Sequence, residues 1–191
     1  MRRVVVSELV TLDGVMEDPG GGEGFEHGGW SFKFRSEEAA TYKFNELFAS
    51  DALLLGRVTY QGFAKAWPSI ADEQGFADRM NSLPKFVVST TLEKVEWNNS
   101  RLIKGNIADA VAELKQQPGQ DILVYGSARL VQHLMAHHLI DEYRLMVHPV
   151  VLGSGKRLFG DGSAPNVLRL VETKAFSSGI VLLSYQPAAT E

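Results

Sequence analysis

Cysteine is absent from the 191-residue sequence, which excludes disulfides, a thiolate nucleophile and zinc–thiolate sites and is compatible with a reducing compartment. Cationic excess is missing too: a net charge of -4 leaves no broad basic surface for polyphosphate, so nucleic acid is not an expected partner. No apolar run approaches the roughly 18 residues of a membrane span. The chain begins Met1-Arg2-Arg3, but the apolar stretch Val4 to Val6 soon meets Glu8 and Asp13, far short of a signal-peptide core. These absences predict a cytoplasmic protein acting on a small molecule, away from membranes. What is present is a globular composition, 45% hydrophobic and 22% charged, sized for one domain at residues 1–187 with a short tail at 188–191.

Short runs rich in Val, Ile and Leu alternate with amphipathic segments, the pattern of a mostly parallel sheet flanked by helices. Arg3 to Leu9, Ala52 to Leu55, Lys85 to Ser89 and Ile122 to Tyr125 read as strands. Ser36 to Phe48, Ile107 to Gln116 and Ala128 to His138 carry helical spacing; Ser36 suits an N-cap, with Glu37 and Glu38 supplying first-turn charge. After Ile140 the pattern turns to strands at Glu142 to Val151, Asn166 to Lys174 and Gly179 to Gln186. The last two are close enough for an antiparallel hairpin at the end of an α/β fold with a mixed central sheet. The glycine-rich stretch Asp18 to Trp30 reads either as a binding lid or as a surface excursion.

Three strand ends run directly into small or polar residues: Gly56-Arg57-Val58-Thr59, Ser89-Thr90-Thr91 and Gly126-Ser127-Ala128-Arg129. In a parallel sheet such ends share one edge, where helix N-termini offer free N–H groups to phosphate. Glycine permits close backbone approach, the hydroxyls can donate to phosphate, and Arg57 and Arg129 add charge. Each segment alone is ordinary turn chemistry; their recurrence at three successive strand ends points to a dinucleotide. Asp13, in Thr11-Leu12-Asp13-Gly14, follows the first strand and is the candidate for binding a substrate or moving a proton, although Asp-Gly equally suits an Asx turn. Trp30, Tyr60 and Trp67 could stack a heterocycle, or simply fill the core.

Familiar motifs fail letter by letter. Gly153-Ser154-Gly155-Lys156 resembles the end of a P-loop, but Arg157 stands where Ser or Thr is needed and Val150 where the first Gly is needed. Leu158 spoils the same stretch as a Rossmann fingerprint. His133 and His137 lie four apart on a helix without a third ligand, so no metal is expected. A Gly-x-Ser-x-Gly hydrolase elbow is lacking.

The ordered set is similar to a known family. Gly56-Arg57-Val58-Thr59-Tyr60, Val88-Ser89-Thr90-Thr91 and Tyr125-Gly126-Ser127-Ala128 resemble the nucleotide-contacting segments of the dihydrofolate reductase superfamily. Ser7 to Gly14 and His148 to Gly155 resemble the reductase domain of bacterial riboflavin biosynthesis, the RibD C-terminal domain. The resemblance, from Val4 to about Tyr185, implies a dihydrofolate reductase-like fold, NADPH as hydride donor and a homodimer, with Leu145 to Leu152 as the candidate contact. By position, Arg57, Thr90, Thr91 and Arg129 would surround the 2′-phosphate and Gly126, Ser127 and Ala128 the pyrophosphate. Gly56, Thr59 and Ser89 would complete the cofactor site, and Leu12 and Asp13 would face the nicotinamide. The implied reaction is nearest to reduction of 5-amino-6-(5-phosphoribosylamino)uracil. The alternative is a non-catalytic nucleotide-binding or dimeric interaction protein. The carboxylate with which dihydrofolate reductases hold the pterin has no counterpart in register, which falls near Ala40, so folate reduction is not implied.

Overall fold

The computed structural model describes residues 1–161, 163 and 165–188; of the expected tail, residues 189–191 lie outside the described residues. The first strand, β1 (Val4–Thr11), is buried almost throughout, with Val4, Val5 and Val6 fully covered. An uninterrupted apolar run is what a strand needs when both faces of its sheet are packed. The chain then passes through the glycine-rich segment into α1 (Glu37–Phe48). The expected capping is present: Ser36 Oγ accepts from Ala39 N at 3.0 Å, and Glu37 and Glu38 occupy the first turn.

The remaining elements are β2 (Ser50–Gly56), α2 (Arg57–Ala66), α3 (Phe76–Ser82), β3 (Lys85–Val88), β4 (Ser100–Ile103), α4 (Ile107–Gln116), β5 (Asp121–Val124), α5 (Ala128–Ala136), β6 (Glu142–His148), β7 (Leu168–Ala175) and β8 (Val181–Pro187). They build one eight-stranded sheet in the order β4-β3-β2-β5-β1-β6-β8-β7. Pairing is parallel from β4 to β6 and antiparallel at β6–β8 and β8–β7, the mixed sheet and terminal hairpin expected.

One face, with Val4, Val6 and Val124, packs on Val131 and Leu134 of α5 and Val111 of α4. The other, with Val5, Leu53 and Leu55, packs on Leu47 of α1, Tyr60 of α2 and Met80 of α3. At about 1.5–3 kcal/mol per large side chain buried, these two layers are the main source of stability. Lys85 is fully buried beside the second layer. Its ammonium donates to the carbonyls of Asn81, Leu83 and Asn98 at 2.8, 2.8 and 3.0 Å and lies over the Trp97 ring, while burial pulls its pKa down to about 8.

Several boundaries and elements differ from the sequence reading. The strand expected over Glu142 to Val151 stops at His148, because Pro149 has no N–H for the ladder. Within the stretch Leu145 to Leu152, expected as a dimer contact, Leu145, Met146 and His148 are buried in β6 between β1 and β8, while Pro149 and Val151 beyond the strand are exposed. Helices α2 and α3 and strand β4 are elements the sequence did not single out. The Asp72 carboxylate takes the N–H groups of Phe76 and Ala77 to start α3, and β4 is a four-residue edge strand with only Ile103 buried.

Candidate functional site

Strands β3, β2, β5 and β1 are parallel neighbours, so Ser89, Gly56, the turn after Val124 and Leu12 emerge along one edge of the sheet. Helices α2 and α5 both begin there. Their first-turn N–H groups have no intrahelical acceptor. The two starts are joined by Ser127, whose Oγ accepts from Gly56 N at 2.8 Å and donates toward Thr59 Oγ1 at 3.0 Å or Tyr125 O at 3.2 Å. Gly126 and Ser127 have positive φ of 57° and 66°. A Cβ on Gly126 would lie 2.6 Å from Thr59 Oγ1, so this turn requires glycine for both conformation and space. Gly56, Thr59 and Ser127 are thus one hydrogen-bonded unit, with Gly126 packed against Thr59 and Ala128 opening α5 beside them.

Around this unit, Arg57, Thr90, Thr91 and Arg129 are exposed, Arg57 donating to Gln61 Oε1 at 3.1 Å. Ser89 is buried and spends its hydroxyl oxygen on its own loop, accepting from Thr91 N at 3.1 Å and Leu92 N at 3.0 Å. Leu12 is 68% exposed at the end of β1. Trp30 and Tyr60 belong to the packed interior and Trp67 is half-buried against it. Trp30 donates to Glu17 O, Tyr60 OH accepts from Glu96 N and Trp97 N, and Trp67 packs against Phe63 and Phe76.

Asp13 is a clamp between two loops. Its carboxylate accepts from Thr11 Oγ1 at 2.6 Å, Leu152 N at 3.2 Å and Gly153 N at 2.8 Å, while Arg157 Nε donates to its carbonyl. The Thr11 hydroxyl, with the Gly153 and Leu152 amides, holds this carboxyl below its usual range, the reverse of what a proton donor needs. The segment after β1 pairs with the Gly-Ser-Gly-Lys loop through a Val15–Arg157 bridge and through Met16 N to Lys156 O. The glycine-rich stretch folds back on the same end. Asp18 O accepts from Gly21 N and Gly29 N, Gly28 leaves no room for a side chain beside the Asp18 carboxylate, and Trp30 meets His148 edge-on at 5.0 Å. Asp18 and Trp30 are buried and anchor the stretch at that end, while most residues between them are exposed.

Beneath the edge lies a charged cluster that sequence reasoning missed. Glu46, on the sheet-facing side of α1, accepts from Lys43 Nζ at 2.6 Å, Ser7 Oγ at 2.8 Å and Tyr125 OH at 3.3 Å, with Arg144 at 3.5 Å. Lys43 Nζ also donates to Ser7 Oγ and lies 4.4 Å from the Tyr125 ring centre. Burial opposes ionisation, but Lys43, Ser7 and Arg144 outweigh it and hold the Glu46 carboxyl below its ordinary range. Glu8, one residue from Ser7, accepts from Gly126 N at 3.0 Å, so that amide faces the sheet and not the open edge. The available signal was the polar pair Ser7-Glu8 inside an otherwise apolar strand. Ala40, where a pterin-binding carboxylate was sought, is exposed. His133 and His137 stack at 4.3 Å without a third ligand; no metal-ligating group of three occurs among the described residues.

The RibD C-terminal domain family model matches residues 2–182. The chain is 34% identical over 187 residues to the uncharacterized protein YyaP of Bacillus subtilis (strain 168), covering 96% of this chain and 94% of YyaP. It is 29% identical over 182 residues to the uncharacterized protein YwjB of the same organism, covering 95% and 96%. Among solved structures, a putative riboflavin biosynthesis protein from Shewanella sp. PV-4 superposes with a TM-score of 0.77 at 21% identity, covering 98% and 99%. Dihydrofolate reductase from Enterococcus faecalis, complexed with NADP(H), superposes at 0.60 and 13% identity, covering 98% and 97%. The Thermotoga maritima deaminase/5-amino-6-(5-phosphoribosylamino)uracil reductase gives 0.64 at 16%, this chain spanning 57% of it. The sheet is therefore a dihydrofolate reductase-like fold, and the chain belongs to the RibD C-terminal domain family.

Proposed function

We propose that this protein is an NADPH-dependent reductase of a small heterocyclic or sugar-linked substrate, nearest in chemistry to 5-amino-6-(5-phosphoribosylamino)uracil reduction. The observation that carries the reading is the Ser127 junction, which sets two helix N-termini side by side at the carboxyl edge of a parallel sheet. This junction suits a dinucleotide phosphate because the N–H groups in the first turns of α2 and α5 have no intrahelical acceptor. Arg57, Arg129, Thr90 and Thr91 stand exposed beside it as the 2′-phosphate group.

NADPH held there supplies a hydride to an electrophilic carbon of the substrate. The protein's part is positional. Leu12 offers an apolar surface at the end of β1, Asp13 fixes the 152–153 turn beside it, and the Trp30–His148 contact walls off one side. The second reading, a binding module without turnover, draws on one observation: the Asp13 carboxylate is already engaged by three donors. We further assign a cytoplasmic homodimer. Among the described residues, edge strand β7 leaves one side unpaired, Leu170 and Val171 on it and Val167 just before it are exposed, and a two-fold pairing of β7 with its copy would satisfy that edge.

Titration with NADPH and NADH, followed by nicotinamide fluorescence, tests the cofactor. NADPH-selective binding is expected, with Arg57→Ala weakening NADPH more than NADH; equal weakening would refute the 2′-phosphate role of Arg57. Oxidation of NADPH with an aminopyrimidine acceptor supports the reductase, whereas saturable binding without turnover supports the module.

A further inference from the structure

Glu8 and Glu46 are each 5% exposed, yet their surroundings treat them in opposite ways. Glu46 has hydrogen-bond or ion-pair partners on both oxygens. Glu8 has one: Oε2 accepts the N–H of Gly126 at 3.0 Å, and the buried Oε1 has no partner. No cation lies within ion-pairing distance of Glu8 among the described residues. The charged groups that act on it, Lys43 and Glu46, both come from α1 and partly cancel. On β6 its ladder neighbour is Leu145; β5 leads to the Gly126 amide and to Tyr125, a buried phenol whose ionisation a charge on Glu8 would oppose; and the α5 side chains of that core face are Leu130, Val131 and Leu134. A carboxylate in such a site costs several kcal/mol more than the neutral acid, which needs no counter-charge.

We propose that Glu8 is a positioning residue for the cofactor: a neutral carboxyl that holds the Gly126–Ser127 turn, so that NADPH binds well only while Glu8 carries its proton. The inference rests on the NADPH reading above. Burial, the dominant influence, pushes the Glu8 carboxyl well above the ordinary carboxylate range, in the same direction as the geometry. While neutral, Glu8 fixes the turn by accepting from Gly126 and leaves the positive end of α5 to the phosphates. Once ionised, it places a full negative charge on the opposite side of that turn, where it repels them and competes for the same helix terminus. Because the protonated form binds, affinity is full below the titration of Glu8 in the free protein and weakens above it by up to about tenfold per pH unit.

Two measurements decide the matter. In the ligand-free protein, the ¹⁵N and ¹H shifts of the Gly126 amide report the charge on Glu8 across pH 4–9. In parallel, NADPH is titrated above pH 7, clear of the 2′-phosphate ionisation at about pH 6, into wild type, Glu8→Gln and Glu8→Leu, each checked for folding by its Tm. Glu8→Gln keeps an oxygen for Gly126 and is neutral at every pH. The expected result is a Gly126 shift that is flat around pH 4.5 and moves only well above it. NADPH affinity should fall with pH in wild type but stay level in Glu8→Gln, with Glu8→Leu several-fold weaker than Glu8→Gln. A Gly126 titration near 4.5, or parallel pH profiles for wild type and Glu8→Gln, overturns the role of Glu8 while leaving the cofactor reading intact. Failure of all three proteins to bind NADPH at any pH overturns both.

Discussion

Glu46→Ala removes the acceptor on which the buried cluster converges, and its cost can be worked from the contacts. Lys43 and Arg144 lose a carboxylate held at 2.6 and 3.5 Å, and Ser7 and Tyr125 lose a hydrogen-bond partner. Breaking a buried ion pair from one side costs about 3–5 kcal/mol. The lower end applies, because Lys43 is 21% exposed and keeps Ser7, and Arg144 keeps Glu142 at 2.6 Å. About 3 kcal/mol corresponds to a Tm lowered by about 6–12 °C for a chain of this size. Glu46→Gln, which keeps shape and one acceptor, should lose about half as much. The pH dependence has a definite sign. The folded carboxyl titrates below its ordinary value of 4.5, so its contribution is full above that pH and is lost as pH falls through the folded value. Tm measured by circular dichroism between pH 3 and 7 should therefore drop more steeply in wild type than in Glu46→Gln. A Glu46→Ala protein within about 1 kcal/mol of wild type would refute the claim that this cluster carries a net ion-pair contribution.

Three further predictions concern the edge and its surroundings. Ser127→Ala leaves the Gly56 N–H and Tyr125 O without their shared partner; a loss of about 1–3 kcal/mol is expected in urea unfolding, with weaker NADPH binding because the α2 and α5 starts are no longer tied. Asp13→Asn supplies one acceptor oxygen in place of two, so hydrogen exchange at the Leu152 and Gly153 amides should speed up; a fall in turnover with those amides still protected would mean a proton-transfer role instead. Val171→Lys on the free edge of β7 should convert a dimer to a monomer in sedimentation at little cost to the fold, and an unchanged mass would place any dimer contact elsewhere.

Local chemistry made much of this protein readable before folding was considered. Apolar runs such as Val4 to Val6 and Leu53 to Leu55 mark strands covered on both faces, and Ser36 with Glu37 and Glu38 marks a helix start, because these signals lie within a few residues of one another. The glycine and hydroxyl residues after β2 and β5 are legible for the same reason: each sits next to a strand whose end it must turn. Partners distant in sequence could be decided only by the tertiary structure. Ser127 meets Gly56 across 71 residues because β5 and β2 are neighbours, and Glu8 meets the Gly126 amide across 118 because β1 pairs with β5. Short segments were enough to define the α/β layering, the mixed sheet and the glycine- and hydroxyl-bearing turns at the strand ends, since periodicity and turn chemistry are local properties. Tertiary structure alone decided that Asp13 clamps a loop, that Glu46 is paired and that Glu8 is not, because the charge state of a buried carboxyl depends on which groups the fold brings within hydrogen-bonding distance.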